Sequence, residues 1–231
     1  MCGRFVQTSS AQRLAERFAA TDTTGDALRP RYNVAPSTPV PVVIGADGRR
    51  LGTMRWGFVP SWSRDPDAGP RPINARVEGA ATSRLFGPAL SRRRGVVPLD
   101  GWYEWSDEDG ARQPWLLRPR GEGPVAVAAL WSTWRAPDAA PDAPPLATVA
   151  LMTTAATGAA ADVHHRTPLL VPDGLLDGWL APGACDDGLL AELVDTVPDV
   201  EVVRVSRRVN DVRNEGPELC DPVGVSGDAG R

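Results

Sequence analysis

The chain has 231 residues, 42% of them hydrophobic and 23% charged, and a formal net charge of −4. That length can bury one large core, and no apolar run approaches the ~20 residues of a membrane span. Met1-Cys2-Gly3-Arg4 does not open a signal peptide, and Cys2, Cys185 and Cys220 are odd in number and far apart, which argues against a disulfide framework or a zinc site. The expectation is a cytoplasmic protein with no membrane partner, no metal and no cofactor.

All 25 basic residues are arginine. Two isoleucines and four asparagines beside abundant Ala, Gly and Pro read as the bias of a GC-rich coding sequence, so most of the composition carries no functional message. Schiff-base chemistry here must use an amine other than lysine. Residues 1–100 hold 15 Arg against 8 acidic residues (+7), and residues 101–231 hold 10 against 21 (−11). A positive first half on an acidic protein points to a polyanion-binding face, with arginines spread over a solvated surface as the alternative.

In chain order, Cys2–Val6 reads as a short strand, and Leu14 and Phe18 give Ser10–Ala20 helical spacing behind a serine cap. Thr21–Pro30 reads as loop. Val40–Ile44 and Leu51–Trp56 are apolar runs around Gly45-Ala46-Asp47-Gly48, a hairpin signal. Ser61–Pro72 reads as surface loop, Asn74–Arg76 as extended chain and Gly79–Phe86 as a short helix. Further strands are expected at Gly95–Leu99, Trp102–Trp105, Trp115–Leu117, Val125–Trp131, Leu146–Thr153, Leu169–Val171 and Val200–Val205. Ala136–Pro145 is a connector, either a long hairpin loop or a boundary. Leu175–Leu180 and Asp186–Val194 have helical spacing, and Gly224–Arg231 reads as a disordered tail. Many short strands without βαβ alternation predict an α+β fold, a mostly antiparallel barrel-like sheet with a few peripheral helices, in one domain over residues 1–223.

Several residues could carry chemistry. Loss of Met1 would leave Cys2 with a free α-amine, pKa near ~8, beside its thiol. Such an amine attacks an aldehyde to give an imine, and the thiol can then close a five-membered thiazolidine on the same carbon. Asn33 and Asn74 each sit between apolar residues near an arginine, where a neutral amide can serve an amine, a sugar or a turn. In Gly101-Trp102-Tyr103-Glu104-Trp105, strand alternation sets Trp102 and Glu104 on one face and Tyr103 and Trp105 on the other. A carboxylate among aromatics is desolvated and suited to acid/base work, unless it is a rim glutamate paired to arginine. His164 and His165 are the only histidines; on extended chain they point opposite ways, one to the site and one to solvent. Asp162 would share the face of His164. Trp56, Phe58 and Trp62 alternate with arginines, a pattern suited to base stacking with phosphate contact, although each alone could be core.

Together these motifs resemble the SOS-response-associated peptidase family, suicide sensors of abasic sites in single-stranded DNA. The resemblance runs through Met1–Phe5, Arg31–Pro36, Trp56–Pro60, Ile73–Glu78, Asp100–Trp105, Met152–Thr154, His164–Pro168 and Val209–Leu219, nearly the whole chain. Thr167 departs from the methionine often found in the family's His-x-Arg-Met-Pro segment. The resemblance implies covalent capture of an abasic sugar by Cys2, Asn74 positioning the amine or sugar, Glu104 moving protons, and His164 assisting ring opening. It further implies self-processing of Met1 and a Schiff-base lyase activity. Arg4, Arg76 and Arg84 match positions near phosphate, and Trp56 an aromatic that blocks duplex stacking; with Asn33 and Trp105 these form the expected DNA-contacting set. The expected partner is single-stranded DNA containing abasic sites, met by a monomer. Two other readings share features: a glutamine amidotransferase-like hydrolase that also opens Met-Cys-Gly, and a non-covalent single-stranded DNA-binding module.

Overall fold

Beta-branched and aromatic runs become strands where Gly, Pro or Asp bounds them. The computed structural model describes residues 2–224 apart from 46–47, 109 and 141. Its strands are β1 (Phe5–Gln7), β2 (Thr21–Asp22), β3 (Arg31–Val34), β4 (Pro39–Ile44), β5 (Arg50–Trp56), β6 (Asn74–Arg76) and β7 (Arg94–Leu99). They continue with β8 (Gly101–Glu108), β9 (Ala111–Pro119), β10 (Val125–Trp134), β11 (Leu146–Ala155), β12 (Arg166–Pro168) and β13 (Val200–Arg204). Five short helices flank them: α1 (Ala11–Phe18), α2 (Val77–Ala80), α3 (Gly87–Arg92), α4 (Leu176–Leu180) and α5 (Asp187–Asp195).

Five of the strands close on themselves. β5, β4, β7, β10 and β11 pair antiparallel in that order, and a parallel pairing of β11 with β5 (Thr148↔Arg55, Val149↔Trp56) completes the ring. Closure removes the unpaired edges that an open sheet would carry. A second, antiparallel sheet runs β13-β9-β8-β1-β3. The architecture is α+β and barrel-like, as expected.

Barrel strands are buried on both faces, which is why they read as continuous apolar runs. In β10 and β11, Ala126, Ala128, Leu130, Ala150 and Met152 pack with Leu14 and Phe18 of α1 and Trp179 of α4. Their alternate neighbours Val127, Ala129, Val149 and Leu151 pack instead with Cys2 and with Phe5 and Trp102 of the second sheet. The second sheet's other face, through Val6, Tyr103 and Leu116, is covered by the C-terminal residues Val209 and Leu219.

Most expected elements are present, though Cys2–Arg4 precede β1, and β8, β9 and β10 run three or four residues beyond an expected end. Ser10 caps α1 by accepting from the Arg13 amide at 3.2 Å. The connector at Ala136–Pro145 is the loop of the β10–β11 hairpin. Three expectations need correction. The helix expected at Gly79–Phe86 is two helices, α2 overlapping its start and ending at Ala80 and α3 beginning after it at Gly87, because Pro88 fits the first turn of a new helix better than the end of an old one. The strand expected at Leu169–Val171 is Arg166–Pro168, which pairs with the end of β11, while Leu170 makes only a lone bridge to Val127. Thr21–Asp22, read as loop, pairs with β5, and β3 went unread. The expected tail, apart from Gly224, and the middle of the β4–β5 turn lie outside the described residues. Among the described residues no helix is long and apolar enough to cross a membrane.

Candidate active site

The head of the chain is fixed by β1. Phe5 pairs with Trp102 and Val6 with Gly101, and the Tyr103 amide donates to the Arg4 carbonyl at 2.9 Å. This register brings the residues just before β1 alongside Glu104. Beyond β1, Asp100 fastens the chain by accepting from the Thr8 and Ser9 amides and both hydroxyls at 2.6–3.1 Å. β6 lies parallel to β11 with Asn74 opposite Leu151, and from there the Asn74 Nδ2 donates to the Cys2 carbonyl at 2.8 Å. Its Oδ1 is buried with no hydrogen-bond partner among the described residues.

Glu104 is 2% exposed, and burial pushes its carboxyl pKa up to about 7. Cys2 is fully buried; burial, reinforced by the Glu104 charge, drives its thiol pKa well above the ordinary value. The His164 Nδ1 stands 3.0 Å from the Arg166 amide and 3.2 Å from the Arg166 carbonyl; in the tautomer where it accepts from the amide, the ring proton is on Nε2. Its Nδ1 also stands 3.9 Å from the Glu104 Oε2. That is too long for a hydrogen bond, and burial holds the imidazole pKa below its ordinary value, so we read the pair as a neutral ring beside a carboxyl rather than an ion pair. Gly3, Arg4, Glu104, Trp105, Arg112, His164 and Asn210 line one cavity of about 410 Å³. The site therefore joins a thiol, a neutral amide with an open acceptor, a carboxyl that titrates near neutrality and an imidazole with an N–H to give. Among the described residues no three His, Cys, Asp or Glu side chains group closely enough to hold a metal ion.

The DNA-contacting set divides. Arg4 and Trp105 line the cavity, and the Trp105 Nε1 donates to the Asn210 Oδ1 at 2.7 Å. Arg76 and Arg84 are exposed. Arg84 lines a separate cavity of about 800 Å³ with Trp62 and Arg71, larger than the site cavity but sharing no residue with it. Its walls hold none of the acid/base groups, so we place the chemistry at the smaller one. Two of the set are buried away from solvent. Asn33 is fully buried; its Nδ2 donates to the carbonyls of Asp211 and Asn214 at 3.1 and 3.0 Å, and its Oδ1 accepts from Arg4 at 2.8 Å. It clasps the C-terminal segment. Trp56 is likewise fully buried against Phe5, with its Nε1 donating to the Ile73 carbonyl at 2.9 Å. The exposed tryptophan is Trp62, at 71%.

The histidines also depart from expectation. A 3₁₀ turn at Gly158–Asp162 feeds them, so they lie in a turn before β12, not on extended chain. Their rings stack 4.3 Å apart instead of diverging, though His165 is exposed and His164 partly buried. Asp162 is exposed. Sequence reasoning missed Arg112 and Asn210 in the cavity wall. It also missed Arg166, whose guanidinium grips both Glu78 carboxylate oxygens and the Thr153 carbonyl, tying the turn of His164 to the helix that follows Asn74. The segments carrying Arg166, Glu78 and Asn210 were visible as motifs, but their pairings were not.

A barrel sealed by a parallel strand pair, with a cysteine, asparagine, glutamate and histidine gathered at the head of the chain, sets the class of fold and site. The model of the SOS response associated peptidase (SRAP) family matches residues 1–212, and the chain belongs to that family. It is 32% identical to the abasic site processing protein YoqW of Bacillus subtilis, over 96% of this chain and 99% of that protein. It is also 32% identical to the abasic site processing protein YedK of Escherichia coli, over 96% and 100%. A crystal structure of a protein from Bacteroides thetaiotaomicron, 19% identical, superposes with a TM-score of 0.80 over 96% of this chain and all of that one, which shows the fold alone.

Proposed function

We propose that this protein processes abasic sites in single-stranded DNA by capturing the ring-opened sugar covalently on Cys2. The observation that carries the reading is the Asn74 amide bonded to the Cys2 carbonyl, beside a cavity lined by Glu104 and His164. Curated relatives named for abasic site processing support it.

The chemistry follows from those groups. Removal of Met1, for which the same acid/base set is suited, frees the Cys2 amine. In the tautomer protonated on Nε2, His164 gives that proton to the sugar ring oxygen as the C1′ hydroxyl passes its own to the Glu104 carboxylate and the sugar opens to its C1′ aldehyde; the adding amine then returns a proton to the imidazole. The amine nitrogen adds to that carbon, and the aldehyde oxygen leaves as water with a proton delivered by Glu104, giving an imine. The thiol sulfur then bonds to the same carbon while its proton passes, through Glu104, to the imine nitrogen. The product is a thiazolidine, with no oxidant or reductant consumed. Burial holds the Cys2 thiol protonated, so it carries the proton that the imine nitrogen receives on ring closure. Lyase cleavage would follow where the imine persists.

The test is mass spectrometry and a denaturing gel after incubation with a single-stranded abasic oligonucleotide. The expected product has the mass of the chain without Met1 plus the oligonucleotide less one water, and Cys2→Ala gives only a borohydride-trappable adduct. A stable adduct of undiminished yield from Cys2→Ala would overturn the thiazolidine.

A further inference from the structure

We infer that Arg112 is a phosphate-binding residue of this site, holding the phosphodiester that flanks the captured sugar. The inference builds on the proposed function, and its test is separable from that reading.

Arg112 lies on β9, reaches the wall of the 410 Å³ cavity that Glu104 and His164 share, and is exposed. Its guanidinium carbon sits 5.4 Å from the centroid of the Trp105 ring, and that of Arg4 sits 5.8 Å from the same centroid. Two guanidinium groups therefore stand over one indole, each attracted by the ring's quadrupole. Among the described residues no carboxylate lies within ion-pair distance of Arg112, whereas Arg166 is paired with Glu78 and Arg204 with Glu108. Glu104 is the buried acid nearby, and a carboxyl that titrates near 7 is only partly ionised at neutral pH.

The two arginines are not equivalent. Arg4 is 9% exposed and already donates to the Asn33 Oδ1 and the Val209 carbonyl at 2.8 and 3.0 Å. Arg112 has no hydrogen bond from its guanidinium among the described residues; the bond at this residue is from the Asn210 side chain to its backbone carbonyl, at 3.1 Å. That bond fixes the backbone and leaves the side chain's planar fork of donors facing the cavity, the geometry that matches two oxygens of a phosphate. A sugar placed against Glu104 and His164 in a cavity of this size has its phosphate within reach of that fork.

The test is equilibrium binding of the mature full chain to a fluorescent single-stranded oligonucleotide carrying tetrahydrofuran, an abasic analogue without an aldehyde, across a salt series. Arg112→Gln is expected to weaken binding roughly tenfold near 0.1 M salt and to flatten the log Kd–log salt slope by ~0.7, the share of one single-strand phosphate, while Arg112→Lys keeps the slope. An unchanged Kd and slope in Arg112→Gln, with unaltered melting, overturns the inference. So does a weaker Kd with an unchanged slope, which would make Arg112 only a prop for Trp105. Wild-type protein that binds the analogue but forms no stable adduct with the true abasic strand defeats covalent capture and leaves the Arg112 contact standing.

Discussion

Asn74 and Cys2 are 72 positions apart in sequence, yet the Asn74 Nδ2 donates to the Cys2 carbonyl at 2.8 Å. The bond fixes the backbone of the residue whose amine is proposed to react, and the Asn74 Oδ1, without a hydrogen-bond partner among the described residues, is an acceptor for a substrate hydroxyl or that amine. Asn74→Ala should slow adduct formation about 10- to 100-fold, the worth of one or two such bonds in a barrier. Asn74→Asp should do no better, since it presents a second acceptor to the carbonyl. Single-turnover capture rates measure both, and a wild-type rate in either variant would remove Asn74 from the reaction.

Glu104 ties reactivity to pH. Its folded pKa of about 7 lies above the ordinary 4.5, so the fold holds that proton more tightly than the unfolded chain does. The wild type should therefore lose stability relative to Glu104→Gln as pH rises from 4.5 through 7. The gap should level off above that window at on the order of 3 kcal/mol and vanish below it. The same variant should capture about 10²–10⁴-fold more slowly and lack the wild-type inflection near pH 7. Urea unfolding at pH 4 and 8.5, with a pH–rate profile, reads both effects; identical profiles would refute the assignment.

The two tryptophans of the Trp56–Trp62 segment should separate stability from binding. Trp56→Ala empties a fully buried site and should cost about 3–5 kcal/mol of folding stability. Trp62→Ala touches an exposed ring and should leave melting nearly unchanged. If Trp62 stacks a base of the bound strand, its loss weakens single-strand binding by ~1–3 kcal/mol. Chemical denaturation and fluorescence anisotropy on both variants decide it, and a Trp62→Ala protein that binds as wild type would end the stacking idea.

Asn33 should behave as a structural clasp. Asn33→Ala strips the Asp211 and Asn214 carbonyls and the Arg4 guanidinium of a partner, at a cost of about 2–4 kcal/mol. Limited proteolysis should then cut first between Arg207 and Cys220. Weakened DNA binding with undiminished stability would restore Asn33 to the DNA interface.

His164 and His165 stack, but only His164 lines the cavity. His164→Ala should slow capture about 10²–10⁴-fold if ring opening limits the rate, and abolish any lyase cleavage passing through the imine. His165→Ala removes an exposed ring and should change the rate little. Parallel capture assays of the two variants test this, and the reverse ranking would reassign the functional imidazole.

The sequence by itself determined what local periodicity can carry. Alternation alone sorted Trp102 with Glu104 and Tyr103 with Trp105, and the structure packs Trp102 and Tyr103 into separate clusters, because strand period is a property of neighbouring residues. The barrel strands and the serine-capped α1 were legible for the same reason, and the ordered motifs from Met1–Phe5 to Val209–Leu219 carried the family. Only the tertiary structure decided that β5 meets β11 to close the ring, that Trp56 is core while Trp62 is exposed, and that Asn33 holds the C-terminal segment. It also decided that a turn stacks the histidines and that Arg112 is left facing the cavity. Those outcomes depend on groups tens to hundreds of positions apart, and burial and hydrogen bonding at one residue are set by which distant backbone the fold brings against it.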